Sequence, residues 1–480
     1  MSRLIAVSNR VAVPRPANQP TAGGLAVALQ AALKRSKGIW FGWSGEVSEA
    51  HSTHLRVTKG AGITFATIDL LKEDYDAYYN GYANRTLWPL CHYRTDLVVY
   101  DRRNQKGYYR VNALFAHALA TLLEPGDLIW VHDYHLIACA EELRRMGFRQ
   151  RMGFFLHIPF PCTPVLMTVP NHEAIVRALF AYDVVGVQTE SDLRALRDYV
   201  VFEAGGHVEP DGCLTAFGRT IHAAAFPIGI DAAGFSRMST SATAKSYFQR
   251  VTTSMADKEL IIGVDRLDYS KGLVQRFEAF ERLLEDYPEN RGHVSLLQVA
   301  PPSRMDVPEY VEIHDALDAA SGRINGKFGE FDWVPIRYQN NPLSRAALAG
   351  LYRASRIGLV TPYRDGMNLV AKEYVAAQDP ANPGSLVLSQ FAGAATQLQE
   401  GAFIVNPYDT DAVVEAIQRS LRLPLRERRK RWQNMMTEVR KHDVGWWCDA
   451  FIKALSACEE DEASKRTHEA TATGRAVPKN

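Results

Sequence analysis

Short apolar strands alternate with amphipathic helices along most of this 480-residue chain, and they do so in two successive series. The first series predicts strands at Leu4–Ser8, Leu128–Val131, Met152–His157 and Val184–Gln188, and helices at Gly24–Lys34, Leu136–Met146 and Asp192–Tyr199. The second predicts strands at Leu260–Val264, Val294–Val299, Ile357–Thr361, Ser385–Ser389 and Phe403–Val405, and helices at Gly272–Tyr287, Leu369–Gln378 and Asp411–Arg422. Such alternation is typical of parallel sheets with right-handed crossovers. We therefore predict an α/β protein with two doubly wound domains, which bind ligands at the carboxyl ends of their strands.

The alternation pauses between the two series, in residues 230–244, where Gly234 and a stretch rich in Ser, Thr and Ala interrupt it. This pause predicts a first domain over residues 1–235 and a second over 236–458. Residues 459–480 are polar and show no periodicity, which predicts a disordered tail.

The composition of the chain limits which kinds of molecule it can bind and in which compartment it is expected. Lys and Arg number 55 against 54 Asp and Glu, a net charge of +1, so a broadly basic surface for nucleic acid is excluded and any anion site must be local. No apolar run approaches the roughly 18 residues of a membrane span, and the first strand is too short for the apolar region of a signal peptide. The six cysteines show no C-x-x-C spacing, which favours reduced thiols in a cytoplasmic protein.

The strand Leu260–Val264 is followed at once by charged residues. Arg266 and Lys271 lie between this strand and the next helix, where two cations and a helix N-terminus can face one diphosphate. The structural alternative is a surface ion pair between Arg266 and either Asp265 or Asp268.

A second polar segment follows the strand Ile357–Thr361. Backbone N–H groups at the start of the helix at Leu369 suit phosphate oxygens, Glu373 suits the vicinal hydroxyls of a ribose, and Asp365 suits those of a sugar ring. The alternative is an ordinary capped helix, with Asp365 as an early acid and Glu373 on a solvated face.

Histidines lie at or just after the ends of two strands of the first domain, and a pair of glycines lies after the first strand. His132, His135 and His157 suggest a metal site, but without further ligand motifs we expect hydrogen-bonded histidines instead. Gly23 and Gly24 open a helix and would let the backbone approach a ligand closely, beside Arg10 at the end of the first strand; a plain loop–helix junction is the alternative.

Aromatic residues are dense between Asp76 and Arg94. Rings such as Tyr79 and Trp88 pack well on sugar faces, although packing in the core is the alternative for any one of them. Arg304 follows the strand Val294–Val299 and is a further cation that could contact a phosphate.

Together these segments closely resemble the trehalose-6-phosphate synthases, retaining glycosyltransferases of family 20 with the GT-B architecture, from Arg3 to about Ser456. The most specific pieces are Ser8–Arg10, Gly23–Leu25, Trp40–Trp43, Trp130–His135, Phe155–Pro161, Arg266–Gly272 and Arg364–Asp379. The resemblance implies two Rossmann-like domains that face each other across a cleft, the first for the acceptor and the second for the nucleotide sugar. The last helix before the tail can then pack back on the first domain.

The resemblance also implies transfer of glucose from UDP-glucose to glucose 6-phosphate, which yields α,α-trehalose 6-phosphate and UDP, as part of osmoprotection. It implies same-face transfer without an enzyme nucleophile, a metal or a cofactor. The partners are then small-molecule substrates, with no nucleic acid or membrane, and the chain can form a homo-oligomer, a dimer or a tetramer.

Donor roles follow from the matching positions. The resemblance implies that Arg266 and Lys271 clamp the diphosphate, that Glu373 binds the ribose, and that His157 and Asp365 hold the transferred glucose. The other donor contacts it implies come from backbone at Gly23, Gly24, Leu343, Leu369, Val370, Ala371 and Lys372.

Acceptor roles follow in the same way. Arg10, Tyr79, Trp88 and Arg304 match the pocket for the acceptor phosphate, and Asp133 matches a contact to acceptor hydroxyls. Two segments depart from the family pattern: the loop Pro159–Pro164 is one residue longer and lacks an acidic residue, and residues 339–343, which would face the uracil, are unusual.

Three other functions compete. Asp409-Thr410-Asp411 has the form of a phosphatase motif, but only about 70 residues follow it, so a helix cap is the better interpretation. A catalytically silent sensor of sugar phosphates would be expected to lose a clamp residue. A GT-B glycosyltransferase with another donor or acceptor is the nearest alternative.

Overall fold

The computed structural model describes residues 2–11, 13, 24–49, 55–60, 62–255, 258–303 and 308–457. Their strands form two sheets. The predicted tail, residues 459–480, lies outside these ranges, as do Gly23 and Arg304.

The first sheet runs in the order β3-β4-β2-β1-β5-β6-β7-β10-β9-β8. Its strands are β1 (Leu4–Arg10), β2 (Ile39–Ser48), β3 (Arg56–Gly60), β4 (Ile63–Leu71), β5 (Leu128–His132), β6 (Arg151–Phe155), β7 (Val184–Val187), β8 (His207–Val208), β9 (Leu214–Ala216) and β10 (Arg219–Ala225). The central run from β4 to β10 pairs in parallel, and antiparallel strands lie at both edges. The buried apolar runs of β1 and β5 suit such a sheet, which is covered on both faces.

The second sheet is parallel throughout and runs in the order β13-β12-β11-β14-β15-β16. Its strands are β11 (Glu259–Val264), β12 (Val294–Val299), β13 (Ile336–Gln339), β14 (Ile357–Val360), β15 (Ser385–Ser389) and β16 (Phe403–Val405). This is the doubly wound order 3-2-1-4-5-6, in which the chain returns to the centre of the sheet after β13 and adds its later strands on the other side of β11, beginning with β14.

Helices cover both sheets. Those up to the first strand of the second sheet are α1 (Gly24–Ser36), α2 (Lys72–Asp74), α3 (Trp88–Cys91), α4 (Arg102–Ala120), α5 (Cys139–Arg145), α6 (Thr163–Leu166), α7 (His172–Leu179), α8 (Glu190–Phe202), α9 (Ala232–Met238) and α10 (Ala242–Met255). The later ones are α11 (Leu273–Asp286), α12 (Pro308–Phe328), α13 (Arg345–Ala354), α14 (Leu369–Ala377), α15 (Ala395–Leu398), α16 (Thr410–Arg422) and α17 (Leu425–Lys441), followed by helix 444–457. A π-helical segment, Tyr75–Leu87, carries many of the aromatic residues, and Tyr134–Leu136 and Tyr269–Lys271 are 3₁₀ turns. None of the helices in the described ranges has the length and apolar character that a membrane crossing requires.

The predicted alternation is confirmed, with local corrections. The predicted strand Met152–His157 ends at Phe155, and the helix predicted from Leu136 begins at Cys139 because a 3₁₀ turn comes first. At α16, Asp409 Oδ1 accepts a hydrogen bond from Ala412 N at 3.0 Å, which confirms the helix cap predicted for Asp409-Thr410-Asp411.

Helix 444–457, near the end of the described chain, packs against the first sheet. The ring of Phe451 stacks on Trp130 of β5, with centroids 4.5 Å apart. A Cβ on Gly153 of β6 would come within 2.6 Å of the Phe451 ring, so glycine leaves the space that this ring fills. The predicted boundary at residue 235 falls between the last strand of the first sheet and the first strand of the second, and it stays a prediction.

Candidate active site

In each sheet the order of the strands reverses at one position, called the switch point here: between β1 and β5 in the first sheet and between β11 and β14 in the second. Two polar segments meet at each switch point. In the second sheet, the segments after β11 and β14 carry Arg266 and Asp365. In the first sheet, β1 ends in Arg10, and β5 ends in His132, which Asp133 follows. Ligands of doubly wound sheets bind in the crevice at such a switch point.

The acids next to Arg266 are engaged elsewhere. Asp265 is buried and pairs with Arg276 at 2.7 Å. Asp268 caps the turn Tyr269–Lys271 by accepting from Ser270 N at 2.9 Å, and it also accepts from the Tyr310 hydroxyl. The alternative of a local ion pair to Arg266 is therefore wrong: its guanidinium is exposed, with its carbon 5.6 Å from the centroid of the Trp88 ring.

Lys271 and Asp365 form an ion pair between the two segments of the second switch point. Lys271 Nζ lies 2.6 Å from Asp365 Oδ2, and the side chains are 9% and 17% exposed. The Asn368 amide donates to the same oxygen at 3.1 Å. Burial by itself raises the pKa of Asp365, but the charge and hydrogen bond of Lys271 outweigh it, with help from His92 and Asn368, so the pKa is lowered. The carboxylate is thus ionised and fixed.

Asn368 is a site residue that sequence reasoning missed. It adopts the left-handed backbone conformation, with φ 71°, and its side-chain oxygen caps α14 by accepting from Ala371 N at 3.1 Å. The N–H groups of Leu369 and Val370 in the first turn have no partner within the helix itself. An Asn just before an apolar helix is a recognised N-cap signal, and could have identified this position.

The side chain of Lys372 is committed to the protein. It is buried, and its Nζ donates to the carbonyl oxygen of Ile228 at 2.7 Å. Burial lowers the pKa of Lys372 to about 7. Any contact to a donor must therefore come from its backbone, as the family resemblance implies.

Glu373 does not lie on a solvated face. Its Oε1 accepts from Arg345 at 3.1 Å, and its side chain is 13% exposed. Burial raises the pKa of Glu373, although Arg345 opposes the shift. Leu343, just before α13, is half-buried and lines a cavity of about 730 Å³ together with Leu297 and Arg337.

On the first-sheet side, Asp133 organises the backbone around His157. It adopts φ 75°, and its Oδ1 accepts from Tyr134 N at 3.1 Å and from His157 N at 3.3 Å. The two halves of the chain touch here, because a Cβ on Gly366 would lie 2.1 Å from the carbonyl oxygen of His157. His157 and Asp365 are thus brought to the same crevice by neighbouring backbone.

The prediction of hydrogen-bonded histidines is confirmed for His132 and His157, which contact each other. His132 Nδ1 lies 3.2 Å from His157 Nε2. His135 stacks on Tyr79, with centroids 5.6 Å apart and planes 10° from parallel.

A continuous wall of rings connects the remaining predicted residues. Successive contacts join Arg10, Trp43, Tyr79, His135, Tyr134, Trp88 and Arg266, with separations between 3.9 and 6.1 Å. The structure therefore connects Arg10, Tyr79 and Trp88 through one chain of ring contacts that ends at Arg266. Tyr79 is half-buried, whereas Trp88 is buried in the core, as the structural alternative predicted for it. Gly24 begins α1; Gly23 and Arg304 stay predictions because they lie outside the described residues.

Two doubly wound sheets whose switch points meet at one crevice form the GT-B architecture, which defines a class of glycosyltransferases. The sequence profile of glycosyltransferase family 20 matches residues 3–457, and the chain belongs to that family.

Proteins of similar sequence and structure align with nearly the whole chain. A trehalose-6-phosphate synthase of Sinorhizobium fredii is 51% identical over 462 residues, which cover 96% of this chain and 99% of that protein. A UDP-forming α,α-trehalose-phosphate synthase of Burkholderia xenovorans, solved in complex with glucose 6-phosphate, is 51% identical and superposes with a TM-score of 0.92, covering 95% of this chain and 100% of that one. An Escherichia coli structure with bound UDP-2-fluoro glucose is 45% identical, with a TM-score of 0.90, and covers 95% of this chain and 99% of that one.

Proposed function

We propose that this chain transfers glucose from UDP-glucose to the anomeric oxygen of glucose 6-phosphate, giving α,α-trehalose 6-phosphate and UDP. The observation that carries the proposal is the meeting of Arg266, Lys271 and the start of α14 beside Asp365 at one switch point. Support also comes from relatives of about half identity that bear the same activity in their names, one of them with glucose 6-phosphate bound.

The second switch point suits the departure of UDP. Breaking the bond between the glucose C1 and the diphosphate oxygen leaves the electron pair, and hence negative charge, on the phosphate. Arg266 and Lys271 can stabilise that charge as it forms, and the first-turn N–H groups of α14 add to their effect. Fixed cations of this kind would do the work that a metal ion does elsewhere, so we propose that no metal or cofactor is required.

We further propose that transfer occurs on one face of the sugar. The acceptor oxygen bonds to C1 from the side that the phosphate leaves, and the acceptor proton passes to a phosphate oxygen. The protein's part is positioning: Asp365 is held by Lys271 and Asn368, and His157 by the backbone contact to Asp133.

The wall of rings suits the acceptor. The half-buried ring of Tyr79 can pack on a glucose ring, and Arg10, with Arg304 from outside the described residues, supplies charge for the 6-phosphate. We also propose a cytoplasmic location, inferred from the cysteine pattern, and assembly of the chain into a homo-oligomer, either a dimer or a tetramer.

A panel of donors tests it. The protein is mixed with glucose 6-phosphate and with UDP-, ADP- or GDP-glucose in the presence of EDTA, and the nucleoside diphosphate and the sugar product are identified. We expect UDP and trehalose 6-phosphate. Loss of activity in EDTA that Mg²⁺ restores would contradict the metal-free transfer, and a faster reaction with another nucleotide would contradict the donor.

A further inference from the structure

The imidazoles of His132 and His157 at the first switch point have a geometry that indicates which ring nitrogens carry a proton. His132 ends β5 and is fully buried, whereas His157, beyond the end of β6, is half-buried at the crevice. The polar contact between them joins His132 Nδ1 and His157 Nε2 at 3.2 Å. In that contact one nitrogen must donate and the other must accept.

Both rings are neutral near pH 7. Burial lowers the pKa of His132 well below its usual value, and His157 nearby adds to the shift. Burial also lowers the pKa of His157 to about 3. Each ring therefore carries a single N–H, and there are two ways to arrange the pair.

The surroundings of His132 decide between them. Its Nε2 is buried and has no hydrogen-bond partner among the described residues. The neighbouring rings, Trp130 at 4.6 Å and Trp447 at 6.2 Å between centroids, each hold a buried indole N–H that likewise has no partner there. A proton on His132 Nε2 would add a third unsatisfied donor to this cluster, whereas a lone pair there does not.

We propose that His132 is a positioning residue that donates its Nδ1–H to His157 Nε2, and so holds His157 in the Nδ1–H tautomer. His157 then presents an N–H, and not a lone pair, on the ring nitrogen that His132 leaves available. A sugar hydroxyl at that nitrogen would have to accept the hydrogen bond. This last step rests on the proposed function, in which His157 holds the transferred glucose.

The tautomer can be read directly. Long-range ¹H–¹⁵N correlation spectra of the full-length protein, labelled with ¹⁵N-histidine and assigned with a His157→Ala variant, report which nitrogen of each ring is protonated. We expect His157 to be protonated on Nδ1 and His132 on Nδ1. A proton on His157 Nε2 in the wild type would overturn the proposal, and this spectrum needs no substrate or activity.

Variants of His132 test the consequence. His132→Leu removes the donor, so His157 should change to the Nε2–H tautomer and kcat should fall about tenfold, the worth of one hydrogen bond, with a smaller change in KM. His132→Asn places an amide N–H where Nδ1 was and should restore both the tautomer and most of kcat. His172→Leu is the matched control, because it removes a histidine contact between α7 and Tyr199 of α8 and should leave kcat and the His157 signal unchanged.

An unchanged tautomer or an unchanged kcat in a folded His132→Leu protein would remove His132 from this role. If that variant does not fold, the wild-type spectrum and His132→Asn still decide, since failure of the amide to preserve the tautomer also overturns the proposal. Failure of the wild type to make trehalose 6-phosphate would instead contradict the proposed function and leave the proton assignment standing.

Discussion

The two switch points hold their polar side chains in opposite ways. In the second sheet the side chains are charged and paired, as between Lys271 and Asp365 and between Arg345 and Glu373. In the first sheet they are mostly neutral imidazoles and stacked rings. Asp133 there accepts hydrogen bonds from backbone N–H groups, and Arg10 is an exposed cation beside Trp43.

This difference matches two tasks. Stabilising charge that appears only during bond cleavage needs fixed charges, and these act mainly on kcat. Recognising a sugar needs shape and oriented donors, which act on binding as much as on the reaction. Substitutions of the two cations, Arg266 on the charged side and Arg10 on the neutral side, should therefore separate kcat from KM.

The largest effect is expected on the charged side. Arg266→Ala should lower kcat/KM for UDP-glucose by two orders of magnitude or more, on the scale of losing one donor to transition-state charge. Steady-state rates of UDP release measure it. Arg282→Ala is the matched control, because this exposed arginine on α11 pairs, within the described part of the chain, with Asp286 and with Asp411 of α16. An unaffected Arg266→Ala enzyme would remove Arg266 from the clamp and erase the contrast.

A smaller effect, on the other parameter, is expected on the neutral side. Arg10→Ala should raise the KM for glucose 6-phosphate about tenfold, the value of one charge-assisted hydrogen bond, with little change in kcat. Arg304→Ala should do the same and affect the donor KM less. If either variant changed mainly the donor KM, the assignment of the acceptor pocket would have to be exchanged.

Much of this arrangement could be predicted from the sequence, because strand ends are readable. Apolar runs such as Leu260–Val264 and Ile357–Val360 show where strands stop, and parallel topology then brings Arg266 and Asp365 to one edge. The family resemblance added roles, and the membership itself is confirmed over residues 3–457.

The remaining features depend on contacts between segments distant in sequence. The pairing of Glu373 with Arg345 and the tie from Lys372 to Ile228 arise only once α14 packs against its neighbours. The π-helix Tyr75–Leu87 has no periodic signal that separates it from an ordinary helix. The sequence therefore shows that this segment is rich in aromatic residues, but not which of their rings contact one another.

The smallest expected effect concerns Glu373, where stability and function should oppose each other. Because burial raises the pKa of Glu373 above its unfolded value, the native state holds the proton more tightly and becomes less stable as pH rises through the raised pKa. Glu373→Gln removes this titration. The difference in free energy of unfolding between variant and wild type should therefore move in favour of the variant, by about 1 kcal/mol or less, between pH 4 and pH 8.

Denaturant unfolding across that pH range measures the difference, and UDP binding by calorimetry measures the cost. Gln binds ribose hydroxyls less strongly than a carboxylate does, so affinity for UDP should fall about threefold to tenfold. Asp379→Asn is the control, because this acid pairs with Arg353 and is 43% exposed, where screening makes such a pair contribute little. A stability difference that moves the other way with pH would show that Arg345 affects the pKa of Glu373 more strongly than burial does. The ion pair would then fully compensate for the burial of the Glu373 carboxylate.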